Sequence, residues 1–236
     1  MNPTIVRLAL AALLGRKRFV LLLLFPGVLV GLTVLVRVLS GEPGAATDVL
    51  FGVGLSLVLP LLALVSATAV MGPEVDDGSL VYLLAKPVSR HAVAISKYVV
   101  ALGSVLVLGP LLLLAVGAAV NPDDFDGTLA RSAGAALASA AYTALFLAVS
   151  TVWKHAVVGG LLFVLLWEGT LSNVFSGVSW LSVTQWGQRV AAALESDLYL
   201  SDVSLPWALA ALVVVTLGGV WFSGDRLRSF QLRGDD

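Results

Sequence analysis

The sequence predicts an all-α, polytopic membrane protein with six transmembrane helices. An N-terminal helix lies in the membrane interface, and a polar cytoplasmic segment joins the second and third spans. Three observations carry this prediction. Of 236 residues, 58% are hydrophobic and 12% charged, about half the charged share of an ordinary soluble domain. The apolar residues gather in runs long enough to supply the ~20 helical residues that a bilayer requires. The basic residues also divide unevenly between alternate connections. With the N-terminus inside, Arg7, Arg16, Lys17, Arg18, Lys86, Arg90, Lys97, Lys154, Arg226, Arg228 and Arg233 are cytoplasmic. Only Arg37, Arg131 and Arg189 fall outside, the asymmetry expected of a chain with both termini in the cytoplasm.

The elements follow in order. Asn2-Pro3 provides a cap and a first-position proline, a good helix start. Ile5, Leu8, Ala9, Ala12 and Leu13 recur at helical spacing before the basic run Arg16-Lys17-Arg18. A cleaved signal peptide would place its basic residues first, so residues 1–18 are expected to form an amphipathic helix on the cytoplasmic interface. The spans are expected at Phe19–Leu39, Leu50–Met71, Tyr98–Val120, about Leu129–Trp153, from Ala156 onward, and about Leu205–Phe222. Pro26, Pro60 and Pro110 fall inside spans and are expected to be static bends. The fourth span carries a series of small residues from Ser132 to Ala141, suited to close helix packing. Trp153, Trp207 and Trp221 stand at span ends, where interfacial aromatics belong. Between the last two spans lies an outer loop, 172–204. In it Trp186, Val190, Ala193 and Leu194 share a helical face, predicting an amphipathic helix on the outer surface.

The longest polar break among the early spans runs from Gly72 to Lys97. It is expected to form two short cytoplasmic helices. Asp76 or Asp77 caps the first, and Lys86 sits favourably at its C-terminal end. Pro87 terminates it, and Ser89 caps the next helix. Arg90 and His91 lie in that helix's first turn, where a cation gains nothing from the dipole. Their expected partners are lipid headgroups or another protein.

Composition excludes several functions. Net charge is −1 and no basic run is long enough for a nucleic-acid face. There is no Cys, hence no disulfide framework, thiolate chemistry or Cys metal site. The four lysines, Lys17, Lys86, Lys97 and Lys154, stand outside any phosphate-cradling Gly-x-x-x-x-Gly-Lys motif, so the chain is expected to have no ATPase of its own. No Gly-x-Ser-x-Gly elbow occurs. His91 and His155 lack a second ligand at metal spacing. Asp123, Asp124 and Asp126 beside Asn121-Pro122 are expected to be a solvated outer loop. Neither a catalytic residue nor a metal site is expected. Glu168 is the acidic group inside an apolar stretch. It either faces a substrate path or a helix partner, or the fifth span ends early and Glu168 sits at the outer interface beside Thr170, Ser172 and Asn173.

The polar segment resembles the cytoplasmic loop of ABC-2 type permeases, the membrane-spanning subunits of ATP-binding-cassette transporters. The matching residues are Glu74, Gly78-Ser79-Leu80, Leu83-Leu84, Pro87-Val88-Ser89-Arg90 and Lys97. Asp76-Asp77 departs from the pattern, because such permeases often carry a basic residue after the Glu. The resemblance implies one permease domain over 1–236. Residues 1–18 would be its elbow helix, and 72–97 the coupling loop that touches an ATPase subunit. The coupling residues implied are Glu74, Asp77, Gly78, Ser79, Leu80, Tyr82, Leu83, Leu84, Pro87 and Arg90. It implies ABC ATPase subunits as partners, with ATP and Mg bound there and no cofactor in this chain, and a second permease as homodimer or sister chain. Export is the implied direction. The alternatives are ATPase-driven force transmission to an outside partner, and a stand-alone secondary transporter or channel, which would need buried polar groups at the midplane. The Ala-, Leu-, Val- and Gly-rich, Lys-poor composition suggests a high-GC bacterial genome, and so a bacterial cell membrane.

Overall fold

The structure, a computed structural model, describes residues 3–76, 90–153, 155–171, 176–195, 198 and 201–229. Among them there is no strand. The helices are α1 (Pro3–Leu13), α2 (Arg16–Ser40), α3 (Pro43–Val53), α4 (Leu59–Asp76), α5 (Arg90–Leu108), α6 (Pro110–Val120), α7 (Phe125–Val152), α8 (Ala156–Leu162), α9 (Ser176–Ser179), α10 (Val183–Leu194) and α11 (Leu205–Ser229). Two π segments interrupt this series: Gly54–Val58 joins α3 to α4, and Phe163–Leu171 extends α8.

Five helical stretches among the described residues are long and apolar enough to cross a membrane. They are Arg18–Ser40, Pro43–Met71, Arg90–Val120, Pro122–Val152 and Leu205–Leu227. Each contains, or nearly coincides with, an expected span. The stretch expected to be the fifth span is a shorter apolar helix, Ala156–Thr170. It widens at Phe163 into the π segment.

Helix α7 is central, packing against α4, α5, α6, α8, α10 and α11. Tyr142, Phe146 and Leu147 on α7 and Leu62, Leu64 and Met71 on α4 are fully buried. The flanking helices α2 and α11 instead turn Leu23, Leu24, Val28, Leu35, Val213, Val214 and Leu217 outward. Such faces suit lipid, which offers apolar side chains the same solvation as a core, so helix association must come from close packing and polar contacts. The small residues of α7 supply that packing. A Cβ on Gly187 would meet Gly134 O at 2.9 Å and the Ala138 Cβ at 3.0 Å. A Cβ on Gly219 of α11 would meet Ala144 O at 2.7 Å.

The prolines act differently from one another. Pro26 lies within an unbroken α2. Pro60 follows the first π segment by two residues, and the helix continues through it. Gly109, with φ −106° and ψ −98°, breaks the third stretch and lets Pro110 start α6.

Two expectations change. The membrane-capable stretch ends at Met71 as expected, but the helix does not: α4 continues through Gly72-Pro73-Glu74, expected to belong to the polar segment, to Asp76. The amphipathic helix of the outer loop is present as α10, but it packs into the bundle. Its covered face is Val183, Thr184, Trp186, Gly187, Val190 and Ala191, while Ala193 and Leu194 are exposed. Glycine at 187 permits the closer approach, which moves the buried stripe away from the bulkier Leu194.

Candidate functional site

The principal polar feature within the bundle centres on Glu168, which is 1% exposed. Ser182 is the N-cap of α10, and its Oγ accepts from Gln185 N at 3.2 Å. The same hydroxyl donates to Glu168 Oε2 at 2.6 Å, and Val183 N donates to Oε1 at 2.9 Å. A helix start leaves N–H groups without intrahelical acceptors. Here Ser182 takes one and the carboxylate takes another. The negative charge also sits at the positive end of the helix dipole.

The next residue extends the node. Thr184 Oγ1 lies 2.8 Å from Tyr142 Oη and donates to Leu55 O at 3.3 Å. Leu55 belongs to the first π segment and Glu168 to the second, and these two segments touch. Wide turns are common where a helix must turn a particular group inward. The N-terminus of α10 is thus held by α7 and both π segments. Just before it, Trp180 O accepts from Trp186 Nε1 at 2.9 Å and from Trp207 Nε1 at 2.8 Å. Trp167 Nε1 donates to Leu181 O at 3.3 Å. Both oxygens of Glu168 accept hydrogen bonds, an arrangement that anchors a helix.

A second set of polar contacts lies at the other end of the bundle. Pro73 has no N–H, so Ala69 O, four residues earlier, loses its helical donor. Arg18 Nη1 donates to that oxygen at 3.0 Å, tying α2 to α4. Lys97, 1% exposed, donates from Nζ to the adjacent Val70 O at 2.7 Å, tying α5 to α4. Arg90 Nη1 donates to Leu227 O at 2.6 Å. Leu227 is in the last turn of α11, where carbonyls are free and a cation suits the dipole. One partner of Arg90 is therefore a helix C-terminus of the same chain. Gly224 lets α11 approach there, since a Cβ would meet the His91 ring at 2.7 Å.

The family model described as ABC-2 family transporter protein matches residues 14–168, more than half of the chain. The chain belongs to the ABC-2 transporter family. It is a multi-pass membrane permease of a transport system, and the matched region contains the whole segment 72–97. No curated protein matches the chain.

In this permease Glu74 lies in the last turn of α4 and Arg90 opens α5. Asp77, Gly78, Ser79, Leu80, Tyr82, Leu83, Leu84 and Pro87 lie outside the described residues, as do Lys86, Ser89 and most of the first helix expected there, whereas the helix expected to follow Ser89 through Lys97 into the next span is the beginning of α5. Glu168 is placed on a helix partner, α10, and away from solvent.

Sequence reasoning missed Tyr142, Ser182 and Thr184, and gave Lys97 and Arg18 no structural role. One signal was available: Ser182-Val183-Thr184-Gln185 has the Ser-x-x-Gln form of a capping box. Pro73 also announces a carbonyl in need of a donor. Which cation supplies it depends on helix packing.

Proposed function

We propose that this permease is the membrane half of an ATP-binding-cassette exporter, driven by separate ATPase subunits that bind ATP and Mg. Two copies, or one copy and a sister chain, form the pathway in a bacterial cell membrane with both termini cytoplasmic. Residues 1–18 serve as the elbow helix and 72–97 as the ATPase contact. The observation that carries this reading is the tethering of the helices on both sides of segment 77–89. Movement imposed on that segment reaches α4 directly and α2 through Arg18–Ala69 O. It reaches α5, α4 and α11 through Lys97–Val70 O and Arg90–Leu227 O. On this reading α8 with its π segment is the fifth of six spans. Helix α10 enters from outside, and its buried N-terminus is held by Glu168. Glu168 thereby positions α10 beside the path and does not itself contact substrate.

The test is a pair of variants, Tyr82→Ala and Leu83→Asp, in protein whose membrane insertion is verified. A helix presented to a groove loses affinity mainly through its aromatic and aliphatic anchors. Reduced ATPase co-purification, or reduced transport per ATP hydrolysed, is expected at unchanged substrate affinity. Normal co-purification with normal coupling in both variants would place the contact elsewhere. Reporters fused after Gly41, Asp126 and Ser201 should read outside, and those after Ser79 and Lys154 inside; a cytoplasmic signal at Asp126 would remove the six-span topology.

A further inference from the structure

A cavity of about 110 Å³ opens between α3, α7 and α10 near the end of the bundle opposite the Arg18–Lys97 contacts. This is several times the space that one water needs. Its lining is graded. Asp48 and Arg131 lie nearer the ends of α3 and α7, Gln188 comes from α10, and Phe51, Gly52 and Leu55 continue inward along the helix. Arg131 is 13% exposed, and its Nε is buried without a hydrogen-bond partner among the described residues. Its Nη1 reaches Asp48 Oδ1 at 3.4 Å, while Asp48 itself is 77% exposed. So long and exposed a pair contributes little and leaves the guanidinium edge open. The guanidinium also lies 5.5 Å from the Phe51 ring centroid, which fixes the fork's position without using its N–H donors.

A buried arginine edge is the side-chain geometry best matched to phosphate or carboxylate, because two N–H groups point in parallel. The exposed carboxylate of Asp48 beside it repels a simple anion and favours a ligand that also carries a cation. The apolar continuation toward Leu55 favours one with a hydrocarbon end. Since α3 and α7 belong to stretches long enough to cross a membrane, their ends lie at headgroup level whichever way the protein faces. We propose that this pocket binds a zwitterionic phosphate headgroup of the phosphoethanolamine type, Arg131 taking the phosphate and Asp48 the ammonium.

The test counts lipid retained by the purified protein, using native mass spectrometry after exposure to phosphatidylethanolamine, phosphatidylglycerol or diacylglycerol. O-phosphoethanolamine is titrated in parallel against thermal stability. Wild type should retain phosphatidylethanolamine and exclude diacylglycerol, with retention falling about tenfold or more in Arg131→Gln. Asp48→Asn should lower phosphatidylethanolamine to the level of phosphatidylglycerol without reducing the latter. Stabilisation by O-phosphoethanolamine at matching concentration would support the same chemistry with a soluble source; lipid retention without it would support the membrane as source. A second variant guards against misfolding of Arg131→Gln. A Cβ on Gly52 meets nothing within 4 Å, so Gly52→Phe fills the cavity and should abolish retention as well. Equal phosphatidylethanolamine retention by wild type and a folded Arg131→Gln, undiminished retention in Gly52→Phe, or diacylglycerol held as well as phosphatidylethanolamine would overturn the proposal.

Discussion

Replacing Glu168 should release α10 in proportion to the hydrogen bonds it leaves unmade. In Glu168→Ala the Ser182 hydroxyl and the Val183 N–H both lose their carboxylate acceptor. A buried donor without a partner costs about 1–3 kcal/mol, and the charge at the helix start adds about 0.5–2 kcal/mol. For the two donors and the charge together this gives about 2.5–8 kcal/mol, and the range for removing one partner from a buried charged contact narrows the expectation to about 3–5 kcal/mol. At 1.4 kcal/mol per factor of ten, opening of α10 should rise between about a hundredfold and a few thousandfold. Glu168→Gln behaves differently. Its carbonyl still accepts from Val183 N–H, and its amide donates to Ser182 Oγ, which turns from donor to acceptor. Only the charge assistance is lost, about 1–2 kcal/mol, or roughly tenfold. Amide hydrogen exchange of the 183–194 peptide reads both variants directly, and exchange of the central α7 peptide serves as an internal control. Unchanged protection of α10 in Glu168→Ala would refute the anchor, and equal losses in the two variants would refute the hydrogen-bond account.

Three further outcomes follow from the packing and the tethers. Gly187→Ala brings a methyl against Gly134 O and Ala138 and should cost about 1–3 kcal/mol, read as a lowered Tm, while Gly103→Ala, with open space around it, should leave Tm nearly unchanged. Arg18→Ala should cost about 1 kcal/mol; Pro73→Ala restores an N–H to Ala69 O, so in the double-mutant cycle most of the Arg18 penalty should vanish, and strict additivity would separate the arginine from the proline. Lys97→Met keeps the buried length and gives up one donor, so its stability should change by about 1 kcal/mol, against about 2–5 kcal/mol for the cavity left by Lys97→Ala, both measured by denaturant titration in detergent.

Much of the helical plan was legible because apolar runs and basic connections are one-dimensional properties. Phe19–Leu39 could be read within three residues of α2, and the start of α11 at Leu205 was read directly although that helix runs seven residues past Phe222, since lipid-facing helices need little beyond hydrophobicity and length. The small residues of the fourth span announced close packing, though not the partner, Gly187. Glu168 was visible as an anomaly, but its environment was not. Its ligands lie 14 and 15 residues later, across a turn, and no helical or strand period links such positions. The polar tethers were hidden for the same reason. Arg18, Lys97 and Arg90 each bond a backbone carbonyl on another helix, and a carbonyl has no sequence identity to read.

The second π segment also sets a rule for length changes in this part of the chain. Ala156, Gly160, Val164 and Glu168 are buried at every fourth residue. In an α-helix that spacing drifts by about 40° per step, and the wide turns offset part of the drift over the later steps. A single-codon deletion between 161 and 167 that left the wide turns in place would rotate the carboxylate by roughly a quarter turn, toward the direction Trp167 now takes. Such a deletion would leave hydropathy almost unchanged while removing the acceptor for Val183. Among homologous sequences, a gap of one residue here is therefore a more informative difference than a run of aliphatic exchanges. It should occur together with loss of the Ser-x-x-Gln cap at 182–185, since each is useful only in the presence of the other.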